Sequence, residues 1–257
     1  MKYLKRFAIC FEGLFFLAAF VFSGCDHSNH RHELGEGAVI INPITSLEKV
    51  KMEGVCITCG YTGTGYAPLS EYLRQLPEND ASTPYNLVIN VDALPDLYDF
   101  WKLPRYASLD FSGSTFTSIG SRDFSNCTSL TGITIPNSVT VIGDGSFSGC
   151  WGLTSVIIGD SVTVIGDGSF SGCWGLTSVI IPDSVTFIGD SAFYSCSGLT
   201  SVTFEGSIFW RDFDISAFQY CGDLRDKFYA TNPSNGTPGT YTTANLGGDY
   251  AVWTRQP

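Results

Sequence analysis

The residues that could do chemistry in this chain of 257 residues are few, and their positions restrict the reactions that they could support. All three histidines, His27, His30 and His32, lie close together near the N-terminus. From residue 36 onward the chain therefore has no histidine for a Ser-His-Asp or Cys-His nucleophile, or for a histidine metal site. The three histidines could hold a metal ion loosely, but a solvated spacer is the favoured interpretation.

The nine cysteines fall into groups with different chemistry. Cys56 and Cys59 form a CxxC motif without the second pair that a zinc site needs, and no helical pattern follows that would support a redox motif. A local disulfide or a labile structural feature is therefore favoured over catalysis. Five others each follow a phenylalanine by three residues and are predicted to form a buried ladder of thiols: Cys127, Cys150, Cys173, Cys196 and Cys221.

Aspartates recur at an interval of 23 residues, as Asp144, Asp167 and Asp190 and as Asp160 and Asp183. Stacked carboxylates could act in pairs in glycoside hydrolysis or could be bridged by calcium. Each of these residues lies beside Gly or Ser in a predicted turn, where an Asp side chain bonds its own backbone. A structural role is therefore expected, and we predict no catalytic residue, no metal and no cofactor.

A sequence repeat sets the spacing of these residues. Residues 138–158 recur letter for letter as residues 161–181, and looser copies with the same period begin at Leu130 and Leu199. A unit of this length cannot bury its own apolar face, so neighbouring units must stack. The sequence therefore predicts an α+β repeat fold, a solenoid of about five coils of 23 residues each.

Positions that stay apolar in every copy are predicted to form one continuous core. Val156-Ile157-Ile158 alternates as a short strand does, so Val156 and Ile158 should point inward and Ile157 outward. Such strands would lie roughly 4.8 Å apart and form a parallel sheet on the concave side. The glycine of each Ile-Gly pair would allow a second bend. One predicted core row is Phe124, Phe147, Phe170, Phe193 and Phe218.

Residues 1–24 have the features of a lipoprotein signal peptide, with a basic start and an apolar stretch too short to span a membrane. Residues 22–25, Phe-Ser-Gly-Cys, resemble a bacterial lipobox, which would make Cys25 the lipidated residue and residues 25–35 a tether. An ordinary cleaved signal with an incidental cysteine is the alternative. The expected location is the cell envelope, either surface-exposed or periplasmic.

The charge of the chain limits its partners. Loss of the signal would remove three basic residues and one acidic residue, moving the net charge from −11 to about −13. This sign disfavours nucleic acid and electrostatic attachment to anionic lipid. Any attachment to a membrane should therefore be through N-terminal acyl chains.

The repeats at residues 107–221 are expected to lie between an N-terminal segment and cap, residues 36–106, and a C-terminal cap, residues 222–257. Without caps, the end coils would expose free strand edges and apolar core to water. The predicted elements of the caps are helices at 69–76 and 94–103, a strand at 87–91, a helical turn at 223–229, and a hairpin pairing 239–243 with 250–254 that carries Trp253.

Outward positions decide what a solenoid can bind, and several of them are apolar here. The neighbouring copies carry Thr or Ser where two copies carry Trp and Ile. Exposed apolar surface of this kind often marks a partner site. The alternative is that the paired Trp residues lie over Gly152 and Gly175. The predicted partner-binding residues are Trp151, Trp174, Ile157, Ile180, Ser155 and Ser178, with Val141, Val164 and Phe187 on a different part of the coil.

The repeat resembles the BspA-like leucine-rich repeat family of bacterial surface lipoproteins, and the flanks resemble the caps of its spirochaete members. Residues 181–196 match the family form Ile-Pro-x-Ser-Val-x-x-Ile-Gly-x-x-Ala-Phe-x-x-Cys, and the resemblance covers residues 107–221. It implies a non-catalytic, lipid-anchored adhesin that binds host matrix or cell-surface proteins, or other bacteria. A periplasmic envelope scaffold or a self-associating lipoprotein is the alternative function.

Overall fold

The computed structural model describes residues 39–40, 50–55, 62–67, 73–74, 76–94, 103–244 and 250–257. The predicted signal, Cys25, the three histidines, Cys56 and Cys59 lie outside these residues. The chain divides into two compact units, residues 1–77 and residues 78–257. Among the described residues, no helix combines the length and the apolar character needed to cross a membrane.

The first unit contains an antiparallel sheet in the order β1-β2-β3. Its strands are β1 Val39–Ile40, β2 Val50–Val55 and β3 Thr62–Ala67. The 23-residue pattern does not extend into this unit, so it predicts none of these strands. Leu73 and Arg74 are helical and lie within the helix predicted at residues 69–76.

The second unit is built on an eight-stranded main sheet. Two C-terminal strands, β15 Thr254–Arg255 and β14 Gly239–Thr242, lie at one edge, and six parallel strands follow in the order β13-β11-β9-β7-β5-β4. Ser155, Ser178 and Ser201 are register partners in neighbouring strands, so the pairing advances by one repeat per strand. This confirms the predicted parallel sheet of a solenoid. The parallel strands are β4 Tyr85–Val88, β5 Ala107–Asp110, β7 Leu130–Thr134, β9 Ser155–Ile157, β11 Ser178–Ile181 and β13 Ser201–Phe204.

A second parallel sheet of four strands lies further along each coil, where the sequence predicts only a bend. Stacking at a constant period brings every equivalent backbone segment into register, and the β-branched Val-Ile pairs suit extended backbone. The strands are β6 Ser118–Ile119, β8 Val141–Ile142, β10 Val164–Ile165 and β12 Phe187–Ile188.

The glycine after each of the strands β8, β10 and β12 begins the predicted bend and is also required by close packing between coils. A Cβ atom on Gly166 would lie 2.9 Å from the carbonyl oxygen of Ile142 in the preceding coil. The positive φ angles come later in the same coil, 58° at Gly168 and 71° at Gly172. The arc that contains these two residues therefore turns the chain back toward the main sheet.

The phenylalanine row lies in the core as predicted. Phe124, Phe147, Phe170 and Phe193 stack with ring centroids 5.1 Å apart, and Phe193 stacks on Phe218 at 4.6 Å. Neighbouring rings are within 11° of parallel. One column of aromatic rings therefore runs through five successive coils.

The predicted thiol ladder is also confirmed, since all five of its cysteines are buried and keep their thiols. The Cys150 thiol donates to the Phe124 carbonyl at 3.0 Å, and the Cys173 thiol donates to the Phe147 carbonyl at 3.3 Å. Burial raises the pKa of Cys150 to about 12 and the pKa of Cys173 well above its usual range. These thiols stay protonated at neutral pH, so they pack as small apolar groups.

Replacing both Ser146 and Ser169 by alanine is expected to raise the free energy of unfolding by about 2 kcal/mol, or about 1 kcal/mol per site. Both hydroxyls are buried without a hydrogen-bond partner, and Ala192 occupies the same position in the next coil. Urea unfolding measures the change. The reverse substitution, Ala192→Ser, should destabilise the protein; a double variant no more stable than the wild type would contradict the assignment.

The predicted strand at residues 87–91 is displaced in the structure, where β4 spans Tyr85–Val88 and joins the main sheet in parallel with β5. The Ile89 amide still donates to Asp110, but the Val91 amide donates to the Ser114 hydroxyl at 3.0 Å. The Ser114 hydroxyl thus takes the place of a backbone carbonyl as the acceptor for Val91, and the regular strand pairing ends there. Most of the helix predicted at residues 94–103 lies outside the described part of the chain.

The main sheet continues past the last coil through the C-terminal segment. Helix α1, Leu224–Tyr229, matches the predicted helical turn. Strand β14, Gly239–Thr242, pairs antiparallel with β13, and β15, Thr254–Arg255, pairs antiparallel with β14. The two segments therefore pair as predicted, but the second strand overlaps the predicted range only at Thr254 and extends one residue beyond it. Trp253 is buried beneath it.

Candidate functional site

The outward side of the main sheet carries two exposed isoleucines. Ile157 on β9 and Ile180 on β11 are 59% and 53% exposed, whereas Val156 and Val179 beside them are buried. Threonine occupies this position in the strands on either side, as Thr134 and Thr203. The preceding outward residues, Ser155 and Ser178, are also exposed. The predicted alternation of these strands is thus confirmed.

Two tryptophans precede these strands and stack on each other. The Trp151 and Trp174 rings are 5.1 Å apart with 2° between their planes, and each side chain is 52% exposed. In each of the four equivalent positions, which include Thr128 and Ser197, the amide donates to the carbonyl two residues earlier. The backbone is therefore alike in all four coils, and the short side chains of Thr128 and Ser197 cannot cover the outer indole faces.

Gly152 and Gly175, which directly follow the two tryptophans, lie close against the preceding coil. Apart from the adjacent residues, the atoms nearest to a Cβ placed on either glycine are backbone atoms of the preceding coil, such as the Trp151 carbonyl oxygen, 2.8 Å from a Cβ on Gly175. Close stacking of coils therefore explains these glycines, and the tryptophans remain half exposed. We call Trp151, Trp174, Ser155, Ser178, Ile157 and Ile180 together the Trp–Ile face.

The other predicted binding residues lie on the second sheet. Val141, Val164 and Phe187 are outward residues of β8, β10 and β12, and we call them the Val–Phe face. Phe187 is 39% exposed and Val164 is half-buried. The predicted binding residues thus divide between two sheets, with the more exposed apolar side chains on the Trp–Ile face.

The row of Asp144, Asp167 and Asp190 links neighbouring coils. The Asp167 amide donates to the Asp144 carboxylate at 3.0 Å, and the Asp190 amide donates to the Asp167 carboxylate at 2.9 Å. The prediction that each Asp bonds its own backbone is therefore wrong for this row, because stacking places the next coil's amide within reach. Hydrogen bonds from Ser216 and then Ser191 lower the pKa of Asp190.

In the described part of the chain, no group of three or more His, Cys, Asp and Glu residues is arranged to hold a metal.

An exposed aromatic pair in the last coil escaped the sequence reasoning. Phe209 and Trp210 lie with ring centroids 6.4 Å apart, and the Arg211 guanidinium lies 5.8 Å and 5.5 Å from their centroids. The sequence does indicate an irregularity here. The last copy has two more residues before its core phenylalanine than the three preceding copies have. Extra residues in a stacked coil must leave the regular path, and here they project at the surface.

Comparison with known proteins identifies the family. The model of the BspA type leucine rich repeat region matches residues 98–226 in six copies. The chain belongs to this family. Membership in the BspA type family agrees with the parallel solenoid described above and indicates a scaffold for protein interaction.

Two solved structures are similar to this BspA type chain. A leucine rich repeat protein of T. pallidum has 28% sequence identity, covering 46% of this chain and 58% of that chain, with a TM-score of 0.36. A leucine-rich repeat protein from Bacteroides ovatus ATCC 8483 has 21% identity, covering 80% of this chain and 43% of that chain, with a TM-score of 0.37. The chain thus spans less than two thirds of either protein. No curated protein matches the chain.

Proposed function

We propose that this chain is a non-catalytic, lipid-anchored protein of the cell envelope whose Trp–Ile face binds other proteins. The observation that carries the proposal is the stack of two half-exposed indoles on the same coils as two exposed isoleucines. Tryptophan is enriched among the residues that dominate binding energy at protein interfaces. An apolar patch on an otherwise polar surface is typical of a partner site.

The role that we propose is adhesion to host matrix proteins, host cell-surface proteins or other bacteria. The interaction function of the leucine-rich repeat family supports a protein partner. The lipobox-like residues 22–25 support Cys25 as the lipidated residue and acyl chains as the membrane anchor. Protease treatment of intact cells tests the location. Degradation only after lysis of the envelope would contradict adhesion and would favour an envelope scaffold.

The binding face is tested by a variant that copies neighbouring coils. Ser197 and Thr203 show that the solenoid accepts Ser at the Trp position and Thr at the Ile position. The variant W151S/I157T/W174S/I180T should therefore fold. We expect it to weaken binding to purified extracellular-matrix proteins or bacterial surface proteins at least about 30-fold, a loss of about 2 kcal/mol. Surface plasmon resonance with the immobilised full chain measures the affinity.

The Val–Phe face supplies the matched comparison. Ser118 occupies this position in β6, so V141S/V164S/F187S also follows a residue that the fold already uses. The two variants together determine which of the predicted faces binds. Wild-type affinity in the Trp–Ile variant, with circular dichroism unchanged, would contradict the assignment of binding to the Trp–Ile face.

A further inference from the structure

The surface of the central coils carries charge of one sign. From residue 123 to residue 210 the chain contains no Lys, Arg or His. The acidic residues in this stretch are Asp123, Asp144, Asp160, Asp167, Asp183, Asp190 and Glu205. All of these except the half-buried Asp123 are exposed. A partner that covers these coils therefore meets no positive side chain in the stretch.

Part of this charge borders the Trp–Ile face. Asp160 follows Ile157 by three residues, and Asp183 follows Ile180 by three residues, so each Cα lies at most about 11 Å from that of its isoleucine. Glu205 directly follows β13 in the next coil. A positive charge placed over the isoleucines would therefore lie near these carboxylates, whose attraction physiological salt screens over roughly 8 Å.

The tryptophans favour a cation as well. The face of an indole ring attracts a positive charge, and an arginine guanidinium is planar and stacks on the ring. The outer faces of Trp151 and Trp174 point toward Thr128 and Ser197, which are too short to cover them. Each indole is half exposed, so a planar cation from another molecule could stack on an outer face.

We infer that the Trp–Ile face takes a protein partner that presents a basic, arginine-bearing segment. This inference rests on the proposed protein-binding function and adds the chemistry of the partner. Guanidinium groups would stack on the outer faces of the indoles, and further positive charges would lie toward Asp160, Asp183 and Glu205. A second copy of this chain is disfavoured as the occupant, because it would bring the same acidic coils against these carboxylates.

The inference is tested with the full chain and three synthetic probes: deca-arginine, deca-lysine and deca-glutamate. We expect deca-arginine to bind several-fold more tightly than deca-lysine, and deca-glutamate not to bind. Affinity for deca-arginine should fall as salt is raised. W151S/W174S should weaken deca-arginine binding about tenfold and should remove most of the preference for arginine over lysine.

A pair of charge-matched variants separates a specific face from general attraction to an acidic protein. D160N/D183N/E205Q removes three carboxylates beside the Trp–Ile face, and Asn137 already occupies the first of these positions in another coil. D144N/D167N/D190N removes three carboxylates beyond the second sheet and keeps an acceptor oxygen for each amide. We expect the first variant to weaken deca-arginine binding about tenfold and the second to change it less than about twofold.

Equal effects of the two triple variants, or unchanged binding in W151S/W174S, would overturn the inference. So would sedimentation of the full chain as a dimer that W151S/W174S converts to a monomer, because the occupant would then be a second copy. The proposed function fails separately. Suppose that W151S/I157T/W174S/I180T no longer binds the protein partner, but that binding of the partner to the wild-type chain is unaffected by salt and by deca-arginine. The proposed protein-binding function would then stand, and the inference of a basic partner would be wrong.

Discussion

Alanine in place of Phe170 is expected to lower the free energy of unfolding by about 3–5 kcal/mol. The Phe170 ring is fully buried and stacks on Phe147 on one side and on Phe193 on the other, at 5.1 Å in each case. Each coil of a solenoid contacts only its neighbours. The cavity would therefore weaken two interfaces between coils at once. Urea unfolding followed by circular dichroism measures the loss.

The exposed Phe187 provides the control for this prediction. It lies in the next coil on the outward side of the second sheet, so Phe187→Ala should cost less than about 1 kcal/mol. The two variants remove the same side chain from one solenoid and differ mainly in its burial. Similar losses in the two variants would show that the phenylalanine row does not hold the coils together.

The solenoid could be predicted from the sequence because one period controls every level of its structure. Once residues 138–158 and 161–181 are seen to repeat, equivalent residues must stack, and a row that is apolar in every copy must be buried. The phenylalanine column and the thiol ladder are two such rows. The repeat also explains five cysteines as a single structural position and not as a set of disulfides.

The second sheet was not predicted, because its strands are only two residues long. A segment of two residues, such as Val164–Ile165, is too short to show an alternating pattern. The glycine that follows it, Gly166, is typical of a turn. Pairing of Val164 with Val141 and Phe187 in the adjacent coils, and not local sequence, makes this segment a strand. Periodicity within one copy cannot reveal a partner that lies a whole repeat away.

Much of the arrangement of the candidate site could be predicted from the repeat. Alternation within a strand was sufficient to place Ile157 and Ile180 outward. The stacking of Trp151 on Trp174 follows from their equal positions in two coils. The sequence also placed Val141, Val164 and Phe187 on a different part of the coil, but it did not predict that they lie on a second sheet, because that sheet depends on pairing between coils.

The insertion in the last coil shows the limit of reasoning from a repeat. The pattern explains what each copy shares, so it gives no account of residues that only one copy has. Phe209 and Trp210 therefore fall outside the predicted site although both are exposed aromatics. Arg225 donates to the Trp210 and Phe213 carbonyls, which ties this insertion to α1.

Alanine in place of Trp253 is expected to cost about 3–5 kcal/mol and to expose the end of the solenoid. The Trp253 indole is buried, and its Nε1–H donates to the Cys221 carbonyl at 2.6 Å, which joins the C-terminal segment to the last position of the thiol ladder. Loss of this anchor should loosen β14 and β15, which cover the edge of β13. Free strand edges promote association, so light scattering should rise together with the loss of stability.

Two further variants separate the contributions of the Trp253 side chain. Trp253→Phe keeps most of the buried ring but removes the donor to Cys221, so it should cost about 1–3 kcal/mol. Val252→Ala changes an exposed neighbour and should cost less than about 0.5 kcal/mol. If Trp253→Ala unfolds at the wild-type urea concentration and stays monomeric, the C-terminal strands do not cap the solenoid. The last coil would then be stable with its edge open, which the stacking of short repeats does not allow.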